Sequence, residues 1–242
     1  VIRPVDPAGV VREFLSTFLE SQVLLGLIST QKYHAVLARL RRSASLPSVG
    51  YKLFAESPSP VYFEGFGRFR LVYLREPDGS EFPFIQSWTK SVSVGKRNLS
   101  CFVGHRFLAD IEKSLRFNLI HLFEPYKVSL RWSGYDLTAR DVFQDIVAGI
   151  KEADLCFFDN LGTLNKPNVY IEIGMAHVLG KPMLVSEYSG PGSKGRRRIP
   201  DTGSVPSDLQ GLLRIQYQSY EDLCKQLYFG LPVFLQRHGL RE

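Results

Sequence analysis

The sequence predicts an α/β protein: a flavodoxin-like, doubly wound parallel sheet of about five strands, preceded by a small α+β N-terminal domain. Three observations carry that expectation. From Leu99 onward, short apolar runs alternate with segments of helical spacing. Each run is apolar on both faces, as in a parallel sheet covered by helices on both sides. Before Leu99 the pattern differs, with helical spacing first and strand alternation after it. Right-handed crossovers then leave a doubly wound sheet whose crevice lies at the carboxyl ends of its strands.

The elements follow in order. Residues 7–26 repeat Val10, Val11, Phe14, Phe18 and Leu25 at helical spacing, and Gly26 is a stop. Thr30 is expected to cap a second helix that carries Tyr33, Val36, Leu37 and Leu40. Pro47, Gly50, Pro58 and Pro60 punctuate a loop. Residues 61–74 alternate, Pro77-Asp78-Gly79 turns, and residues 82–88 return as the second arm of a hairpin. The polar stretch 90–98 reads as a linker, which divides the chain into domains 1–95 and 98–242. In the second domain, strands are expected at 99–104, 128–132, 155–159, 182–186 and 213–217. Helices are expected at about 108–123, 138–152, 168–179 and 219–229.

Composition narrows the class. A chain of 242 residues with 44% hydrophobic and 22% charged residues can bury a core and remain soluble. No stretch approaches the roughly 18 apolar residues of a membrane span, and the opening VIRPVDPAGV lacks a secretory pattern. Cys101, Cys156 and Cys224 are odd in number and lie in apolar segments, so reduced core thiols in a cytoplasmic protein are expected. Residues 1–97 hold 13 Lys/Arg against 8 Asp/Glu, and residues 98–242 hold 17 against 16. The basic N-terminal part permits a polyanion partner, with nucleic acid as a minority reading beside sensing, partner binding or homo-oligomer assembly. The GSKGRRR run at 192–198 is expected as an exposed loop.

The residues that bear chemistry gather at the strand ends. Glu172 stands among Val169, Tyr170, Ile171, Ile173 and Met175, where an ionised carboxylate is costly and its pKa should rise. That suits a nucleophile or an acid/base. Asp159 ends the preceding strand, with Asn160 beside it, and the two are expected to hold sugar hydroxyls. Asp159 and Glu172 are expected to face one crevice. Gly104, His105, Arg106 and Phe107 follow the first strand, where backbone N–H groups and a guanidinium can meet a phosphate. Trp132, Ser133, Tyr135 and Asp136 follow the second, with aromatic rings for a base and an acceptor for a hydroxyl. Asn165 or Asn168 is placed to cap the helix of Glu172, and Asn168 also to touch substrate. Gly174, unfavourable in a helix, implies a close approach there. No cluster has metal-ligand spacing.

The runs CFVGH from Cys101, AD at 153–154, FDN at 158–160, KPNVYIEIGMA from Lys166 and GKP from Gly180 resemble the TIR-like and nucleoside 2-deoxyribosyltransferase-like superfamily. The run VPSDLQGLLRIQYQSY from Val205 resembles the tail of bacterial TIR-like predicted nucleotide-binding proteins. The likeness covers about residues 98–230. It implies a flavodoxin-like fold and N-glycosidic chemistry on a nucleoside or nucleotide, with Glu172 as the catalytic glutamate and Asp159 holding the sugar. It implies no cofactor, with NAD as substrate. The transferases carry a tyrosine in the first-strand loop, where this chain has GHRF, which favours a phosphate-bearing substrate. NAD glycohydrolase-type hydrolysis therefore stands first. Nucleoside 2-deoxyribosyl transfer, a non-catalytic nucleotide-binding signalling module and an assembly scaffold are the alternatives.

Overall fold

The computed structural model describes residues 14, 16, 20, 23, 29–42, 61–63, 67–87, 97–105, 109–134, 142–160, 167–188 and 214–241. They belong to two compact units. One comprises Val1–Arg75, Ser80–Val94 and Leu227–Glu242; the other comprises Glu76–Gly79 and Gly95–Gln226.

In the first unit, helix α1 (Thr30–Arg42) accompanies a three-stranded antiparallel sheet of β1 (Val61–Phe63), β2 (Gly67–Arg75) and β3 (Glu81–Ser87). Ser29, not Thr30, caps α1: its hydroxyl accepts from the Lys32 N–H at 3.2 Å. The capping rule holds one residue earlier than expected. β2 and β3 pair from Phe69↔Ser87 to Arg75↔Glu81, closed by the expected turn with Gly79 at φ +82°. The core is aromatic. Phe14 meets Phe69 edge-on at 5.4 Å and Tyr228 at 5.8 Å, and Phe84 meets Tyr228 at 5.4 Å. Leu227–Glu242, expected with the second domain, therefore packs with the first unit, because Tyr228, Leu231 and Leu235 put an apolar face into this core.

The second unit holds β4 (Leu99–Gly104), α2 (Ala109–Phe123), β5 (Val128–Trp132), α3 (Val142–Glu152), β6 (Leu155–Asn160), α4 (Pro167–Val178), β7 (Met183–Tyr188), β8 (Arg214–Tyr217) and the first turns of α5 (Tyr220–Arg237). The five strands are parallel in the order β5-β4-β6-β7-β8. This is the flavodoxin-like order, and the chain reverses its direction of winding between β4 and β6. The fold class read from the sequence is the fold observed.

Period-two alternation assigns each strand residue a face. On one face, Phe102, Cys156, Phe158 and Val185 pack with Ile150 of α3 and Val169, Ile173 and Ala176 of α4. On the other, Phe157 meets Phe123 of α2 at 6.5 Å and Tyr217 meets Tyr220 of α5 at 6.0 Å. The three cysteines are buried and unbridged, and burial lifts the Cys156 thiol to about 12. No helix among the described residues is long and apolar enough to cross a membrane. The 192–198 run lies outside the described residues, as do the expected loop at 47–60, most of the 7–26 helix and most of the linker.

Candidate active site

The site begins with the helix that carries Glu172. Pro167 opens α4, as its fixed φ favours. Asn168, expected as its cap, is already inside the first turn and exposed. At the other end the chain leaves through a left-handed Gly180 (φ 64°), with Lys181 N–H bonded to Ala176 O at 2.9 Å and Gly180 N–H to His177 O at 3.0 Å. These two bonds make a Schellman cap. Lys181 then donates its ammonium to Lys151 O at 2.6 Å and Ala153 O at 2.7 Å, closing the end of α3. The GKP run is thus a structural device that fixes α4 against α3 and the sheet.

Glu172 points from α4 onto the end of β4. Its side chain is buried, with 5% exposed. The Ser133 hydroxyl donates to Oε1 at 2.9 Å. Oε2 is buried and has no hydrogen-bond partner among the described residues. It lies over the bare Cα of Gly104, where a Cβ would collide with Oε2 and come within 2.5 Å of Phe158 Cδ1. Gly104 and Phe158 are register partners on β4 and β6, so the free oxygen sits at the switch point of the sheet. Burial pushes the carboxyl up from 4.5 to about 7, and the Ser133 hydrogen bond holds it back only in part.

Ser133 is itself fixed: its N–H donates to Val103 O at 2.9 Å, continuing the β4–β5 ladder. It was expected as a substrate contact, and its hydroxyl here donates to Glu172. A cavity of about 20 Å³ beside it, bordered by Phe102, Arg131, Asp145 and Ile146, has room for one water. Trp132, read as a stacking platform, is buried, with His105 edge-on at 5.2 Å and the Arg116 guanidinium 5.8 Å from its ring. His105 is buried in that contact. Arg106, Phe107, Tyr135 and Asp136 lie outside the described residues, as does the side chain of Asn160.

Asp159 corrects the expectation of one shared crevice. Its Oδ1 accepts from the Ser186 hydroxyl at 2.7 Å and the Tyr217 hydroxyl at 2.9 Å. Alternation puts it with Phe157 on the α2/α5 side of the sheet, whereas Glu172 lies over Phe158 on the α3/α4 side. The two carboxylates occupy opposite faces. Gly174 is a second correction, since a Cβ there meets nothing within 4 Å among the described residues. The glycine that makes room is Gly104.

Glu187 was not among the expected site residues. In MLVSEY, Val185 turns to the α3/α4 core and Ser186 to Asp159, so Glu187 turns to the face of Glu172. It is buried at the carboxyl end of β7. A glutamate in the apolar phase of a strand was the available signal. Among the described residues no group of His, Cys, Asp or Glu has the makings of a metal site.

Fold and site together define a flavodoxin-like α/β unit with a buried carboxylate at its switch point. Among solved structures, the chain is similar to the CMP N-glycosidase BcmB of Clostridium botulinum, with 19% identity over 53% of this chain and 97% of that one (TM-score 0.38). It is similar also to a 2-deoxyribosyltransferase of Bacillus psychrosaccharolyticus, with 14% identity over 51% and 89% (TM-score 0.32). No protein-family model and no curated protein sequence matches it.

Proposed function

We propose that the second unit cleaves or transfers the N-glycosidic bond of a nucleoside or nucleotide, with Glu172 as its catalytic carboxylate, and that hydrolysis is its main outcome. The observation that carries this reading is the asymmetry of the carboxylate. Oε1 is tied to Ser133, while Oε2 is buried and without a partner over Gly104. A structural glutamate would have both oxygens satisfied, because an unmade buried hydrogen bond is costly.

Breaking a C1′–N bond sends its electron pair to the departing base and leaves positive charge on the pentose. Oε2 opposes that charge, or captures C1′ as an ester that water later opens. Ser133 positions the group and favours its ionised form. Oε2 is covered in this form of the protein, so binding has to uncover it, and water exclusion then strengthens the attraction. NAD is the first substrate we assign, because the first-strand loop has GHRF where the transferases carry a tyrosine, and its Arg106 offers a guanidinium to a pyrophosphate. The basic first unit is assigned a sensing or assembly role.

Incubation of the full chain with NAD, CMP and deoxycytidine, followed by chromatography, tests this. Free nicotinamide or cytosine is expected. Base exchange with no net release assigns transfer instead. No base from any of the three, at any protein concentration, contradicts the proposal.

A further inference from the structure

The cavity beside Ser133 has a carboxylate in its wall that the chemistry above leaves unused. Asp145, in the first turn of α3, borders it, and Oδ2 of that side chain is buried with no hydrogen-bond partner among the described residues. Helix α3 carries the chain from the end of β5 back to the start of β6, so its first turn lies at the carboxyl edge of the sheet. One turn after Asp145, Gly149 brings α3 so close to the sheet that a Cβ would come within 3.0 Å of the Phe102 ring. An acidic residue in a first turn is favoured by the helix dipole, but a solvated carboxylate meets that need as well. The dipole therefore does not explain a covered oxygen with no donor. Ser133 borders the same cavity and donates to Glu172 Oε1 at 2.9 Å. One serine thus stands between two carboxylates, each with a covered and unmatched oxygen. The cavity, about 20 Å³ between Asp145, Phe102 and Ile146, admits one water or one amino nitrogen.

We propose that Asp145 receives the exocyclic N–H group of the departing base, and that the site therefore prefers bases bearing an amino or amide group to their oxo or carboxylate counterparts. This rests on the reading of Glu172 as the glycosidic carboxylate. A carboxylate has acceptors only. The amino group of cytosine or adenine, or the amide of nicotinamide, gives Oδ2 its donor. The exocyclic oxygen of uracil or hypoxanthine, or the carboxylate of nicotinate, sets acceptor against acceptor. Sites built around one hydrogen bond discriminate strongly against a ligand that cannot make it.

Binding of CMP against UMP, of AMP against IMP, and of NAD against its nicotinate counterpart tests this by calorimetry on the Glu172→Gln chain, since that variant should bind without turnover. The amino or amide member of at least one pair is expected to bind about 10–100-fold tighter. Adding Asp145→Asn keeps the shape and supplies an N–H donor, so it should level or reverse that ratio, with the oxo member gaining affinity. Asp145→Ser, which can donate or accept, should bring the ratio towards one and serves if the Asn variant fails to fold. A ratio unchanged in either variant, equal binding or an oxo preference before substitution, or no binding of any pair overturns the assignment. Base release by the wild type is read separately. Release without amino preference sinks Asp145 and spares Glu172; amino preference without release does the reverse.

Discussion

Glu172 is lifted to about 7 by burial, and its ionised form is the one that opposes an oxocarbenium. On the proposed chemistry, kcat/KM should rise with pH along a limb centred near 7. Ser133→Ala removes a hydrogen bond that favours ionisation, so the limb should move to higher pH; an unmoved limb would break the link between the two residues. The same lift acts on stability with a fixed sign. The folded carboxyl holds its proton more tightly than the unfolded one, so its contribution is full below about 4.5 and is lost as pH rises through about 7, on the order of 3 kcal/mol in all. Gly104→Ala drives a methyl into Oε2 and the Phe158 ring, and should cost about 1–3 kcal/mol together with most of the activity. Asp159→Ala removes the acceptor that the buried Ser186 and Tyr217 hydroxyls share and should cost about 1–3 kcal/mol by denaturant titration. Base release per folded molecule should stay near the wild-type value, and a selective loss would return Asp159 to the chemistry.

At the scale of elements, the strands were the most legible part of the sequence. LSCFVG and VSLRW sit at the bounds their apolar runs suggested, because runs that short between turn and helix signals fit a strand better than a helix. β6 and β7 run one and two residues further at their carboxyl ends than expected, since Asn160, Glu187 and Tyr188 are polar or amphipathic yet still in the ladder. The helix expected at 219–229 continues to Arg237 with Pro232 inside it, where a burial-driven apolar face outweighs a local breaker. Glu172 was legible as a carboxylate out of place. Its partner Ser133 was not, because a contact between residues 39 apart depends on strand order. The face of Asp159 was legible in principle: FFDN alternates, and Phe158 already claimed the side of α4. Lys181 bridges two elements, and Lys181→Met should lower the melting temperature by removing both bonds to the end of α3, about 1–2 kcal/mol, with catalysis intact. Lost activity at unchanged stability would give the GKP run a chemical role instead.

At the scale of the whole molecule, the chain is not divided by a single cut. Leu227–Glu242 returns to the first unit, and the hairpin tip Glu76–Gly79 belongs with the second. In that second unit Glu76 accepts from the Tyr220 and Glu221 N–H groups at 2.8 and 3.0 Å, capping α5. Ending the chain at Gln226 should therefore unpack the first unit, which loses Tyr228 from Phe14 and Phe84. Protease protection of residues 61–87 should fall, and undiminished protection would show that the N-terminal segments form a core alone. The central claim is that Glu172 is present for chemistry rather than for the fold, and Glu172→Gln tests it when base release and melting temperature are measured on one preparation above pH 7. Base release is expected to drop by about 10²–10³ or more while the melting temperature holds or rises, because a buried charge disappears. A variant that keeps its activity and melts earlier would contradict it.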